Sequence, residues 1–238
     1  LIEFKDDIIS ATRSSRVVDS NFFSGSWSVE KAWCLGLIAT DGCLFSSTRV
    51  NNGGIAKKGI SLISTDKEMI EKFANYLSST HTIGCVVDRG YNGYGHNKPV
   101  YQIHILNSKL YDDLVKLGLK ERKSLDLQFL NDYPEEFMRD YIRGCWDGDG
   151  GIYYYYQFSC CIVSSSYNFI THIDSFLSSV LCFDKHTISN ICVEGKHIQF
   201  KLNLTGENAR KLCRYIYHDK MGDAYLTRKY NVWLKYDR

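Results

Sequence analysis

The chain has 238 residues, 44% of them hydrophobic and 24% charged, proportions that exclude a disordered or fibrous protein and allow one large domain or two of about 100 residues each. No apolar run approaches the ~18 residues of a membrane span, and Leu1 to Arg16 carries acids where a signal peptide would be basic and then apolar. The expectation is a protein at work inside a cell. Net charge is only +2, but it is segregated. Gly42 to Leu125 holds twelve Lys/Arg against seven Asp/Glu and Gly151 to Arg238 eleven against seven, whereas Asp126 to Gly150 holds two against seven. Two basic blocks around an acidic segment suit two surfaces gripping one polyanion, and also suit ordinary solvated faces. The nine cysteines contain no C-x2-C pair, which argues against structural zinc and for reduced, mostly buried thiols in a reducing compartment.

Residues 1–26 match no assignable pattern. Ser28 to Ala39, SVEKAWCLGLIA, follows capping-type serines and stops at Thr40-Asp41-Gly42, which reads as a buried helix ending at a glycine. Strands follow at Cys43 to Val50 and Ile60 to Ser64, joined by a Gly/Asn/Lys loop. Thr65 to Glu68 has capping-box spacing, and Met69, Ile70, Phe73 and Leu77 then share one helical face fit to cover a sheet. Strands at Cys85 to Asp88 and Val100 to Ile105, then a helix from Ser108 to Leu117 closed by Gly118, complete the unit.

The order then begins again. After a linker at 126–133, Pro134 opens a helix from Glu135 to Trp146 that stops at Asp147-Gly148-Asp149-Gly150. A tyrosine-rich hairpin (Ile152 to Val163), a helix (Tyr167 to Leu181), strands at Thr187 to Val193 and His197 to Leu204, and a helix (Glu207 to Tyr217) follow. Tyr101 to Ile105 aligns with Ile198 to Leu202, and Leu119 to Lys123 with Tyr225 to Lys229. Asp41 lies 82 residues before Lys123, and Asp149 lies 80 before Lys229. The reading is therefore α+β, one αββαββα unit present twice, with halves at 27–125 and 134–238.

Each first helix of a unit ends in Asp-Gly and carries small residues at i and i+4, Gly36 with Thr40 and Gly144 with Gly148, so the two helices can approach backbone to backbone. That approach would bring Asp41 and Asp149 close enough to share metal ions. A carboxylate at a helix C-terminus is disfavoured by the dipole, so two of them point beyond a plain helix stop. Bare, the two carboxylates repel each other. A divalent cation removes that penalty, and Mg2+ suits hard oxygen ligands together with waters and phosphate oxygens.

The stretches Cys34 to Gly42 and Ile142 to Gly150 resemble the nine-residue LAGLIDADG motif, and about Trp27 to Tyr230 resembles the two-motif, single-chain homing endonucleases. Ala39 departs from the motif's first acid, Asp147 keeps it, and the resemblance makes the later acid of each motif catalytic. It implies paired αββαββα halves with saddle-shaped sheets along double-stranded DNA and a monomer of internal pseudo-symmetry. It also implies Mg2+ or Mn2+ on Asp41 and Asp149, with Ca2+ as a non-catalytic substitute, and cleavage of both strands to leave 3′ overhangs. Lys123 and Lys229 match the family's active-site lysines, with Lys120, Arg122 and Arg228 as neighbouring alternatives. Asp66 and Ser166 match the position after the second strand that lies beside the metal centre, although Asp66 also reads as a simple helix start.

Alternation assigns the sheet faces: if Ile103, Ile105, Ile198, Phe200 and Leu202 face the helices, then Gln102, His104, His197, Gln199 and Lys201 face DNA. The resemblance adds Arg49, Arg89, Tyr153 and Tyr155 to that surface, while part of the run Tyr153 to Tyr156 reads as packing. Two rival classes stand beside the nuclease. One is a binding protein on the same fold, such as an intron maturase or a transcription regulator. The other is an unrelated carboxylate-pair enzyme such as a glycosidase, against which the doubled unit and basic blocks speak.

Overall fold

The computed structural model describes residues 16–47, 57–87, 99–130, 133–184, 186–191 and 198–236. Helix α1 (Val29–Thr40) begins where the Ser28 hydroxyl accepts the Lys31 N–H and is apolar all round, so it is buried from Lys31 to Ala39. Its counterpart α4 (Met138–Asp149) is buried from Met138 to Asp147 apart from Arg139, and the two pack against each other at the centre of the molecule. Glycine permits the approach. A Cβ on Gly36 would meet the Tyr141 carbonyl oxygen at 2.3 Å, and one on Gly144 would meet that of Trp33 at 2.2 Å. The helices touch backbone to backbone.

Each of these helices leads directly into a sheet. After α1 come β1 (Gly42–Ser47), β2 (Lys57–Ser64), α2 (Lys67–Tyr76), β3 (Gly84–Val87), β4 (Pro99–Leu106) and α3 (Ser108–Lys116). After α4 come β5 (Gly150–Tyr154), β6 (Phe158–Ser164), α5 (Tyr167–Leu181), β7 (Thr187–Ile191), β8 (Gln199–Thr205) and α6 (Gly206–Ile216). Both sheets are antiparallel, ordered β1-β2-β4-β3 and β5-β6-β8-β7, so the αββαββα unit is present twice. Leu44, Ile60, Leu62, Ile103 and Ile105 of the first sheet, and Ile152, Cys160, Ile162, Leu202 and Leu204 of the second, turn to the covering helices and join one continuous core. The opposite faces stay open. Among the described residues no helix is long and apolar enough to cross a membrane.

Four local expectations change. Pro134 is extended (φ −60, ψ 121) before a 3-10 turn at Glu135–Phe137, so α4 starts only at Met138. At its other end α4 runs through Asp149, which places Asp147 inside the helix, where it is buried. Ile198 precedes β8 and is 50% exposed rather than packed, because the strand that would bury it begins one residue later. Finally, a helix unforeseen in the sequence, α7 (Thr227–Tyr236), buries Lys229 and Trp233 and packs against β5. Tyr154 stacks on Tyr236 at 4.4 Å, so one member of the tyrosine run packs on a helix while Tyr155 and Tyr156 stay exposed.

Candidate active site

Asp41 is the C-cap of α1, and Asp149 is the last residue of α4. Because the helices touch along Gly36 and Gly144, their ends converge: a Cβ on Gly148 would lie 3.5 Å from the Asp41 carboxyl carbon, and the two side chains share a hydrogen bond. Burial first, and the charge of Asp149 second, push the Asp41 carboxyl up to about 7. Burial likewise raises Asp149, against the pull of Lys123 and Lys229.

Two buried lysines flank the acids. Lys123 Nζ donates to the Gly42 carbonyl, and Lys229 Nζ donates to the Gly150 carbonyl at 2.6 Å, in each case the residue after the aspartate. Lys229 also donates to the carbonyls of Trp146 and Asp147, so it satisfies the open end of α4. Burial lowers both amines. Their counter-charges differ, because Lys229 has Asp147 as its strongest favourable partner, whereas Lys123 leans on Cys43, Asp149 and Asp41. An open cleft lined by Thr40, Lys123, Ser124, Asp149, Ser164 and Gln199, among others, runs beside this centre.

Two of the three neighbouring cations are paired with other acids. Lys120 is exposed and pairs with Asp126, Arg122 sits at φ 52 ahead of the Lys123 turn, and Arg228 makes a two-pronged pair with Asp66 at 2.7 and 2.8 Å. Asp66 is also the N-cap position of α2, so it joins α2 of one half to α7 of the other. Ser166 is 1% exposed; its hydroxyl donates to the Leu127 carbonyl at 2.8 Å and accepts the Phe169 N–H, which commits it to the linker and the start of α5.

On the open faces, His104 is exposed, and its Nε2 lies 3.4 Å from Oε1 of the half-buried Gln102. Gln199 is exposed and reaches the cleft, while Lys201 is half-buried between Val163 and Ser189 in register. Tyr153 contacts Asn203 through its hydroxyl, and Tyr155 lies 75% exposed in the turn. Arg49, Arg89 and His197 lie outside the described residues.

One buried constellation escaped the sequence reading. Asp147 Oδ2 accepts from Trp33 Nε1 at 2.8 Å and from the Leu226 N–H at 3.0 Å, tying α1, α4 and the approach to α7 together beneath Lys229. The available signal was an acid opposite Ala39, with a lone tryptophan in the partner helix.

No protein-family description and no curated protein sequence matches the chain. Solved structures do. The crystal structure of I-DmoI in complex with DNA and Ca superposes with a TM-score of 0.52 at 15% identity, over 85% of this chain and 93% of that one. The I-SmaMI LAGLIDADG homing endonuclease bound to cleaved DNA gives 0.52 at 13% identity, over 89% of each chain. Mesophilic variants of the homing endonuclease I-DmoI give 0.50 at 16% identity, over 83% and 96%. The fold is that of the LAGLIDADG homing endonucleases. In this LAGLIDADG fold the two motif helices are α1 and α4, and Asp41 and Asp149 stand at their feet.

Proposed function

We propose that the chain is a single-chain, site-specific endonuclease that hydrolyses both strands of a long double-stranded DNA target and leaves 3′ overhangs. The observation that carries this reading is the paired carboxylate of Asp41 and Asp149, both raised by burial and Asp41 further by the charge of Asp149, and flanked by Lys123 and Lys229. From each aspartate a strand leaves at once, Gly42 into β1 and Gly150 into β5, so both open sheet faces extend from the acids. The halves 27–125 and 134–238 then each take half of the target.

The donor set suits Mg2+ or Mn2+, with Ca2+ as a non-catalytic substitute. Among the described residues no group of three or more His, Cys, Asp or Glu could hold a metal, but Mg2+ is commonly held by one or two carboxylates, with waters and phosphate oxygens completing its shell. Asp41 and Asp149 would hold it, and when bound it supplies charge for the attacking water and the leaving oxygen. The residues around it prepare the centre. Burial disfavours the charged form of both carboxylates, which a bound cation would favour. Lys123, which lines the cleft together with Asp149, would add positive charge where a phosphate sits. Lys229 holds the end of α4, and with it Asp149, in place through three carbonyls.

A binding protein on the same fold is favoured by one observation. Asp66 and Ser166, the two further polar positions implied beside the metal, are already occupied by Arg228 and Leu127. The test is to select duplexes from a randomised DNA library with Mg2+ present, then compare the wild type with Asp41→Asn and Asp149→Asn on the selected duplex. Wild-type cleavage should stop with EDTA, and each variant should lose at least about a hundredfold in double-strand cleavage, the rate equivalent of several kcal/mol of lost charge stabilisation. Binding should survive in both. A folded Asp149→Asn that cuts both strands at the wild-type rate would overturn the assignment, and a wild type that binds the duplex without cutting it would favour the binding protein.

A further inference from the structure

The open faces of the two sheets are equivalent in topology and unlike in chemistry. In the first sheet the cross-strand rows are Phe45–Gly59–Leu106, Cys43–Ser61–His104 and Ile63–Gln102–Gly84, with Val86 on the outer strand. Ile63 is 44% exposed, Val86 53% and Leu106 55%, and the Phe45 ring lies over Gly59, where a Cβ would meet it at 2.8 Å. The matching rows of the second sheet, Gly151–Cys161–Asn203–Thr187 and Val163–Lys201–Ser189, offer a lysine, an amide and hydroxyls. Among the described residues, the one large exposed hydrophobic side chain on the strands of that face is Tyr153, which carries a hydroxyl.

Single exposed apolar residues are ordinary, but several on one open face that starts at a candidate catalytic centre form a surface shaped for a partner. In the major groove the apolar feature is the thymine C5-methyl, a contact that needs apolar side chains; glutamine and asparagine both pair well with adenine, lysine prefers guanine, and hydroxyls contact either, so the apolar side chains and the lysine are what distinguish the two faces. We propose that the N-terminal sheet reads an A·T-rich half-site, with Phe45, Ile63 and Leu106 against thymine methyls and Gln102 on adenine, while the C-terminal sheet reads its half-site through hydrogen bonds from Lys201 and Asn203. This rests on the proposed action on double-stranded DNA and adds the composition of the target.

The experiment removes methyl groups without changing base pairing. Affinity for a library-selected duplex is measured in Ca2+, with deoxyuridine replacing thymidine in one half-site and then in the other. Each contacted methyl is worth roughly fourfold in affinity, so one half-site should lose several-fold and the other less than about twofold. Ile63→Ser and Leu106→Ser should each abolish part of that deoxyuridine penalty, while Lys201→Met should leave it intact and weaken recognition of the other half-site. Equal penalties in both half-sites, or a full penalty retained by both serine variants, would overturn the inference while leaving the nuclease reading in place. Failure of the wild type to bind any duplex would overturn both.

Discussion

Two residues before its terminal aspartate, α1 carries Ala39, whereas α4 carries Asp147, and the surroundings of the two lysines follow from that difference. Lys229 has a buried carboxylate and three carbonyls around it; Lys123 has one carbonyl and leans on Cys43 and then the acid pair. The helices after the first hairpins differ too. Glu68, Lys72 and Tyr76 of α2 reach across to Thr227, the Tyr225 carbonyl and Asp223 of the other half. In α5, by contrast, Phe169 and Phe176 pack on Phe129 of the linker. The candidate site positions thus match between halves, while their support does not. A duplicated unit must keep what works at its axis, but the chain enters, links and ends only once, so each half meets different neighbours.

The matched part of this comparison is the most sensitive to change. Gly36→Ala and Gly144→Ala would each drive a methyl into opposing backbone, where no flexible side chain can yield. Each should cost at least ~3 kcal/mol, at the upper end of overpacking penalties, and the two should cost nearly the same. Urea unfolding of both variants measures this, and a gap of more than about 1 kcal/mol between them would break the symmetry argued here.

A smaller effect should separate the halves. Asp147→Ala strips an acceptor from Trp33 Nε1 and the Leu226 N–H and removes the nearest counter-charge of Lys229, a loss of about 2–4 kcal/mol for buried, charge-assisted hydrogen bonds. Asp147→Asn keeps one acceptor and should recover part of it. If Asp147→Ala melts with the wild type, Lys229 does not depend on that carboxylate.

The smallest expected effect concerns pH. The Asp41 carboxyl has an ordinary value of 3.8 and stands at about 7 in the fold, so between those values the folded chain binds more protons than the unfolded one. Stability from this group is therefore present at low pH and falls as pH rises through that window, by ~1 kcal/mol or more. In EDTA, the urea midpoint of the wild type should drop more from pH 5 to pH 7.5 than that of Asp41→Asn. Identical slopes would show that Asp41 is not strained by its surroundings, and saturating Mg2+ should flatten the wild-type slope if the pair holds it.

The sequence alone determined the doubled αββαββα order, the backbone-close pair of helices and the nearly equal spacing from each aspartate to its lysine. Those features are written in short-range signals, namely apolar periodicity, the capping-type serines ahead of the first helix, and glycines at helix spacing. Tertiary structure decided what long-range packing controls. Helix α7 is amphipathic only where Trp233 meets β5 and Lys229 meets the end of α4, so its ten residues carried no clear pattern on their own. Asp147 became a structural carboxylate because the fold places Trp33 and Leu226 against it, from 114 and 79 residues away. Asp66 and Ser166 occupy equivalent positions, yet one faces Arg228 and the other the Leu127 carbonyl, a difference set by which segment of chain passes over each helix start. Local spacing records which groups a chain carries, and the partners that hold them come from segments far away along it.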